Sequence, residues 1–294
     1  MRARNAVLTG ALATALLAPT GAPLDAQLPA HLREYPLGTL HASGDMVAPF
    51  FDGWYDNGDG TVTYSFGFLN RNTEEIVDIP LGPNNKIEPA ELDGVQPTHF
   101  PVYNRRGLTG KRERGAFGVS VPKGTVVVWT LTHAGRTYSV PGRATQIAYE
   151  MSWDPAAFGS LHPAVRFSPE GRESRGPEGV VAERVSAKVG VPVTLTAMVQ
   201  DRGMREGYEG VDKTVFPLNA TWELHQGLPA VTFEPQMQRA IEGEGWSIAS
   251  TQATFTQPGD YMIRLRADNF GAPDSRFDNM CCWSNGYVPV TVTR

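Results

Sequence analysis

Thr61-Val62-Thr63-Tyr64-Ser65-Phe66-Gly67-Phe68 places Val62, Tyr64, Phe66 and Phe68 at every second position, with small or hydroxylated residues between them. Successive side chains of a β-strand point to opposite faces, so this period of two sends one aromatic face into a core. Just before it, Asp56-Asn57-Gly58-Asp59-Gly60 ends in an Asp-Gly pair, a strong signal for a tight hairpin turn. A calcium loop is disfavoured there: a glycine stands at the third ligand position and no glutamate follows in register.

Working outward, Phe117, Val119 and Val121 repeat the alternation, and a β-branched run over 126–133 is turned back by Ala134 and Gly135 into 136–140. Pro80, Pro83, Pro89, Pro97, Pro101 and Pro122 exclude long helices and long central strands between these runs. Residues 47–149 therefore read as an antiparallel β-sandwich. The pattern dissolves over 150–179, where Pro155, Pro163, Pro169 and Pro177 alternate with glycines, as in an extended linker. It resumes over 180–294. Val191, Val193, Leu195, Ala197 and Val199 share one face of a strand, and Tyr261, Ile263, Leu265 and Ala267 one face of another. Their neighbours Thr194, Thr196, Arg264 and Arg266 are expected to face solvent. Val288, Val290 and Val292 close the chain as an edge strand that tolerates Pro289. The expected fold is all-β: two immunoglobulin-like antiparallel β-sandwich domains joined by an extended Pro/Gly-rich linker.

Composition agrees. Among 294 residues there are 31 glycines and 23 prolines, and only 19% are charged, which argues against helical bundles and coiled coils. With 41% hydrophobic and 10% aromatic residues the chain is not disordered, and a net charge of -5 supplies no field for nucleic acid. Arg2 and Arg4 precede an apolar run over 6–18 that is too short to span a bilayer, and Gly21, Ala22 and Ala26 follow. This is the pattern of a cleaved signal peptide over 1–26, with cleavage after Ala22 the nearest competitor. Residues 27–46 then form an extended lead. No later apolar stretch is long enough for a transmembrane anchor, so the expected location is periplasmic or secreted.

Two resemblances accompany this reading. Residues 220–233 followed by 250–268, with Trp222 central, Pro258-Gly259 at a turn and Tyr261 placed for a tyrosine corner, resemble PKD-like and related immunoglobulin-like modules. Gly53-Trp54-Tyr55, Phe66-Gly67-Phe68, Asn70-Arg71-Asn72, Asp78-Ile79-Pro80, 82–85, 96–100 and Cys281-Cys282-Trp283 are similar to a family of uncharacterised exported bacterial proteins. The first resemblance implies a sandwich, the second an exported architecture; neither implies catalytic residues.

Several features are candidates for function. With strands over 191–201, 219–225, 260–268 and 286–293, the connections 202–218 and 269–285 each have 17 residues and lie at the same end of the sandwich. Hairpins need two to five residues, so this tip, carrying Arg205, Tyr208, Phe216, Phe277 and Trp283, is a candidate binding surface; packing of the loops against the first domain is the alternative. The only cysteines, Cys281 and Cys282, are adjacent and leave three readings: a vicinal disulfide that kinks the loop, packed thiols, or metal, redox or intermolecular use. Arg105, Arg106, Lys111, Arg112 and Arg114 form a basic patch suited to an anionic partner or to pairing with the acidic stretch 52–93. Phe50, Phe51, Trp54 and Tyr55 either stack on sugar rings or fill the core. The six histidines have no metal-ligand spacing, and no nucleophile, base and orienting group assemble in the sequence. The expectation is a non-enzymatic exported protein, without metal or cofactor, that presents loops to a protein partner in the cell envelope, for example as an extrinsic subunit of an envelope complex. The alternative is a carbohydrate-binding or polysaccharide-processing accessory protein.

Overall fold

The Asp-Gly turn and the alternating strand after it form the centre of the first sandwich. In the computed structural model, β1 (Val47–Asp56) and β2 (Thr61–Asn70) pair antiparallel across a turn in which Gly58 and Gly60 take φ of 77° and 91°. The structure describes residues 39–103, 112–155, 159–174, 176–203, 217–241, 245–269 and 282–294. The first part of the chain continues with β3 (Val77–Asp78), β4 (Asn85–Glu88), β5 (His99–Phe100), β6 (Arg112–Pro122), β7 (Val127–His133), β8 (Arg136–Gly142) and β9 (Glu150–Met151). One sheet has the order β6-β2-β1-β9, and a second has the order β4-β7-β8, with β3 and β5 paired beside them. The β7–β8 hairpin turns at Ala134 and Gly135, both at positive φ, the geometry of a two-residue turn matched to strand twist. Tyr64, Phe66, Phe68, Phe117 and Trp129 lie in one buried cluster between the sheets.

The remaining strands are β10 (Ala164–Arg166), β11 (Val180–Val181), β12 (Val185–Lys188), β13 (Val193–Gln200), β14 (Leu218–Gln226), β15 (Val231–Glu234), β16 (Met237–Ile241), β17 (Ser247–Phe255), β18 (Gly259–Asp268) and β19 (Trp283–Thr293). They form two sheets, β10-β13-β17-β15 and β11-β19-β18-β14-β16, with β12 added in parallel to β19. The segment β15–β16 changes sheet partway, β15 pairing with β17 and β16 with β14. Trp222 is fully buried in the core between the sheets, and Tyr261 Oη donates to the Gln257 carbonyl at 2.8 Å, the hydrogen bond of a tyrosine corner. The chain is thus all-β and built on immunoglobulin-like sandwiches. Residues 150–179, expected to be an extended linker, contribute β9 to a sheet of the first core and β10 to a sheet of the second.

Candidate functional site

The alternation that buries Ile263, Leu265 and Ala267 leaves Arg264 and Arg266 on the opposite face of β18, yet that face does not meet water. Both arginines are buried, which corrects the expectation of solvent exposure. The physical reason is that the outer face of the sheet is covered by the start of β6. Glu113 Oε1 accepts from Arg264 Nη2 and, at 2.7 Å, from Arg266 Nη1, and Glu113 itself is only 1% exposed. Arg264 also meets Glu223 Oε2 at 2.8 Å, its register partner across the β14–β18 ladder, and Arg266 Nε lies 3.4 Å from Asp268. Burial opposes the charge on Arg264, but Glu223 and Glu113 outweigh it and hold the guanidinium protonated beyond its ordinary range. Desolvated ions of this kind are tolerated only when paired on all sides.

Backbone acceptors complete the seam. Arg264 Nη1 donates to the Ala116 carbonyl at 3.1 Å, and Asn285 Nδ2 to the carbonyls of Gly115 and Pro177 at 2.9 Å each. The Trp283 indole lies against Gly115 so closely that a Cβ there would sit 2.0 Å from it, and Gly115 takes φ of +55°. Asp52, at a bulge in β1, accepts from the Gly115 amide at 2.7 Å and from Arg112 Nη2 at 2.5 Å. Burial raises its carboxyl above the usual range against the pull of Arg112. At the other end of β14, the Thr98 amide donates to the His225 carbonyl at 2.8 Å. Gln226 Nε2 donates to the carbonyls of Gly94 and Gln96 at 2.8 and 2.7 Å. His225 Nε2 lies 2.8 Å from the Val95 carbonyl and must donate to it; burial first, then Arg264, lowers this ring to about 3 despite that bond, so it is neutral.

Beside this seam opens a cleft of about 550 Å³, with Phe68, Pro101 and Tyr103 from the first core facing Glu223, Phe233 and Arg264 from the second. Its two charged side chains are already committed to each other. His99 at the wall is bonded through Nδ1 to Asp78 at 2.7 Å. Among the described residues no group of three or more histidine, cysteine or carboxylate side chains is placed to hold a metal.

The residues singled out from sequence fall as follows. Trp283, expected on the tip surface, is fully buried: β19 begins at Trp283 rather than near 286, and Arg266 lies over its ring at 5.2 Å. Arg112 is bonded to Asp52 and lies over the Phe50 ring at 4.4 Å, so it pairs with the acidic stretch. Arg114 sits half-buried near the same carboxylate. Arg105, Arg106, Lys111, Arg205, Tyr208, Phe216, Phe277 and Cys281 lie outside the described residues, and Cys282 is buried without a free thiol. Trp54 is 9% exposed and donates Nε1 to the Gln146 carbonyl at 3.3 Å, so it is not an open stacking platform. Sequence reasoning missed Glu113, Arg264, Arg266 and Asn285. The available signal was two arginines two apart on a central strand.

The described ends of three long connections meet at this seam. Tyr103 and Arg112 flank 104–111, and Tyr103 is half-buried in the field of Glu113, Glu223, Arg264 and Arg266. Asn219 pairs with Asp268, and Asp268 with Trp283, which brings the flanks of 204–216 and 270–281 onto adjacent strands. Asn269 Nδ2 lies 3.2 Å from Asp201 Oδ1, tying the flanks together from the other side.

No family profile matches the sequence, and no curated protein matches it. Among solved structures, the D00-D0 domain of intimin is 9% identical, with 84% of this chain and 100% of that chain covered at a TM-score of 0.27. A titin immunoglobulin tandem is 12% identical over 84% of this chain and 98% of that one, TM-score 0.22. Domains 4 and 5 of the S-layer protein SbsC are 14% identical over 58% and 66%, TM-score 0.25. At such scores these likenesses carry no argument about this chain, and its fold rests on the strand pairing described above.

Proposed function

We propose that this chain is a non-enzymatic exported protein that presents the loops 104–111, 204–216 and 270–281 together to a protein partner, as an extrinsic subunit of an envelope complex. The observation that carries this reading is that Tyr103, Asp268 and Trp283, near the described flanks of 104–111 and 270–281, border one buried ion cluster, with Asn219 beyond the 204–216 flank paired to Asp268 on the next strand. Binding surfaces work best when loops stand on a rigid scaffold, because less ordering entropy is lost on association. In this proposal the sandwiches span 47–149 and 180–294, and Arg105, Arg106 and Lys111 supply cationic contacts while Arg205, Tyr208, Phe216 and Phe277 supply the anchors. Trp283, Arg112 and Arg114 act as footings of the surface, and a Cys281–Cys282 bond stiffens the third loop. The test is affinity capture of the tagged mature chain from the membranes of cells that export it, under mild detergent. A stoichiometric protein companion, lost when Arg205, Tyr208, Phe216 and Phe277 are changed to alanine, supports the reading. Recovery of the chain alone, or a companion indifferent to those changes, contradicts it.

A further inference from the structure

Trp153 is fixed from several sides yet half-exposed. Tyr55, buried on β1, stacks on it with ring centroids 4.0 Å apart and planes 20° apart. His162 meets it at 5.3 Å in an edge arrangement, and Asn57 Oδ1 accepts from Trp153 Nε1 at 3.3 Å. Tyr55 Oη and His162 Nε2 are themselves bonded at 2.9 Å. Gly176, at φ +142°, leaves room for the ring: a Cβ there would lie 2.9 Å from the indole. Trp153 borders a polar groove of about 680 Å³ and a smaller cavity of about 270 Å³.

The groove wall beside the ring is a row of oxygen atoms held in place by the fold. Asn57 Nδ2 donates to the hydroxyls of Thr61 and Thr63 at 2.9 and 3.1 Å, and Thr63 Oγ1 lies 2.7 Å from Ser120 Oγ. Asp59 and Glu178 add exposed carboxylates on the same groove. A locked aromatic ring next to hydroxyls and carboxylates complements a pyranose, which offers an apolar C–H face to the ring and hydroxyl donors to the acids. Glu173 is paired with Arg202 at 2.7 Å, so Asp59 and Glu178 stand against Arg172, a small acidic excess that disfavours an anionic ligand. We propose that this groove is a binding subsite for a neutral glycan whose sugar ring stacks on Trp153. None of the residues that line the groove is among those proposed above to contact a protein partner.

The test is isothermal titration of the full mature chain with soluble cello-, malto- and N-acetylchito-oligosaccharides, with alginate oligomers as the anionic probe. Saturable binding of at least one neutral series is expected, weakened about tenfold or more by Trp153→Ala and unchanged by Glu234→Ala, an exposed position outside the groove. If Trp153→Ala fails to fold, Ser120→Arg and Glu178→Ala, both at exposed positions on the groove wall, decide instead and should each weaken binding. Silence across the neutral series, binding of alginate alone, or binding that survives the groove variants would overturn the proposal.

Discussion

Replacing Glu113 by alanine removes the acceptor shared by Arg264 Nη2 and Arg266 Nη1 and leaves two guanidinium groups, 3% and 8% exposed, short of a counter-ion. Breaking a buried ion pair by deleting one partner costs roughly 3–5 kcal/mol, because the remaining charge stays desolvated. Arg264 keeps Glu223 at 2.8 Å and Arg266 keeps Asp268 at 3.4 Å, which places the expected loss toward the lower end, about 3 kcal/mol. The amide in Glu113→Gln retains one neutral acceptor and should cost less, about 1–2 kcal/mol. Replacing the whole cluster together, Glu113→Leu, Arg264→Met and Arg266→Leu with Glu223→Gln and Asp268→Asn so that neither outer carboxylate is stranded, removes the charges and their desolvation at once and should recover most of the loss. Urea denaturation of the four proteins at neutral pH reads these differences as shifts in midpoint at constant slope. The reasoning fails if Glu113→Ala lies within about 0.5 kcal/mol of the parent, since an exposed ion pair would behave in that way.

Gly115→Ala should cost about 1–3 kcal/mol from the clash with Trp283, and more for the positive φ, in the same denaturation assay. Gly44→Ala is its control: it shares a positive φ but meets nothing within 4 Å, so its cost should be confined to backbone strain. Burial holds His162 and His225 at about 4 and about 3 in the folded chain, against an ordinary value near 6.5. The unfolded chain therefore binds more protons below that value, and the stability these rings contribute is present above about pH 6.5 and lost as the pH falls toward 4. The slope is about 1.4 kcal/mol per pH unit for each ring, with the raised carboxyl of Asp52 acting in the opposite sense. Denaturation midpoints from pH 7 to 4.5 should show that slope, and His162→Gln should reduce it. Non-reducing intact mass should find the chain two hydrogens lighter than after reduction, with alkylation blocked until then; immediate alkylation of both cysteines would rule out the vicinal bond.

The sandwiches were legible because their signals are local. Tyr64, Phe66 and Phe68 alternate, Asp-Gly turns the chain, and Tyr261 stands four residues after the carbonyl it binds. Alternation separates one face of a strand from the other, but it does not say what covers the second face. Arg264 and Arg266 therefore read as solvent-facing, although Glu113, 151 and 153 positions away, covers them. The same blindness hid the burial of Trp283, whose neighbour Gly115 comes from the other sandwich. Trp153 was lost in a stretch whose prolines and glycines read as linker, because its partners Tyr55 and Asn57 lie 98 and 96 positions before it.

Amide hydrogen exchange at the seam tests most directly the claim that the sandwiches hold the loop ends as one rigid footing. The Thr98 amide donates to the His225 carbonyl, and the Gly227 amide to Thr98 Oγ1 at 3.2 Å, so both would be released if the sandwiches parted. They should be protected as strongly as the Trp222 amide inside the second sandwich, which donates to the Gln236 carbonyl at 2.8 Å. Rapid exchange of Thr98 and Gly227 while Trp222 stays protected would contradict the account.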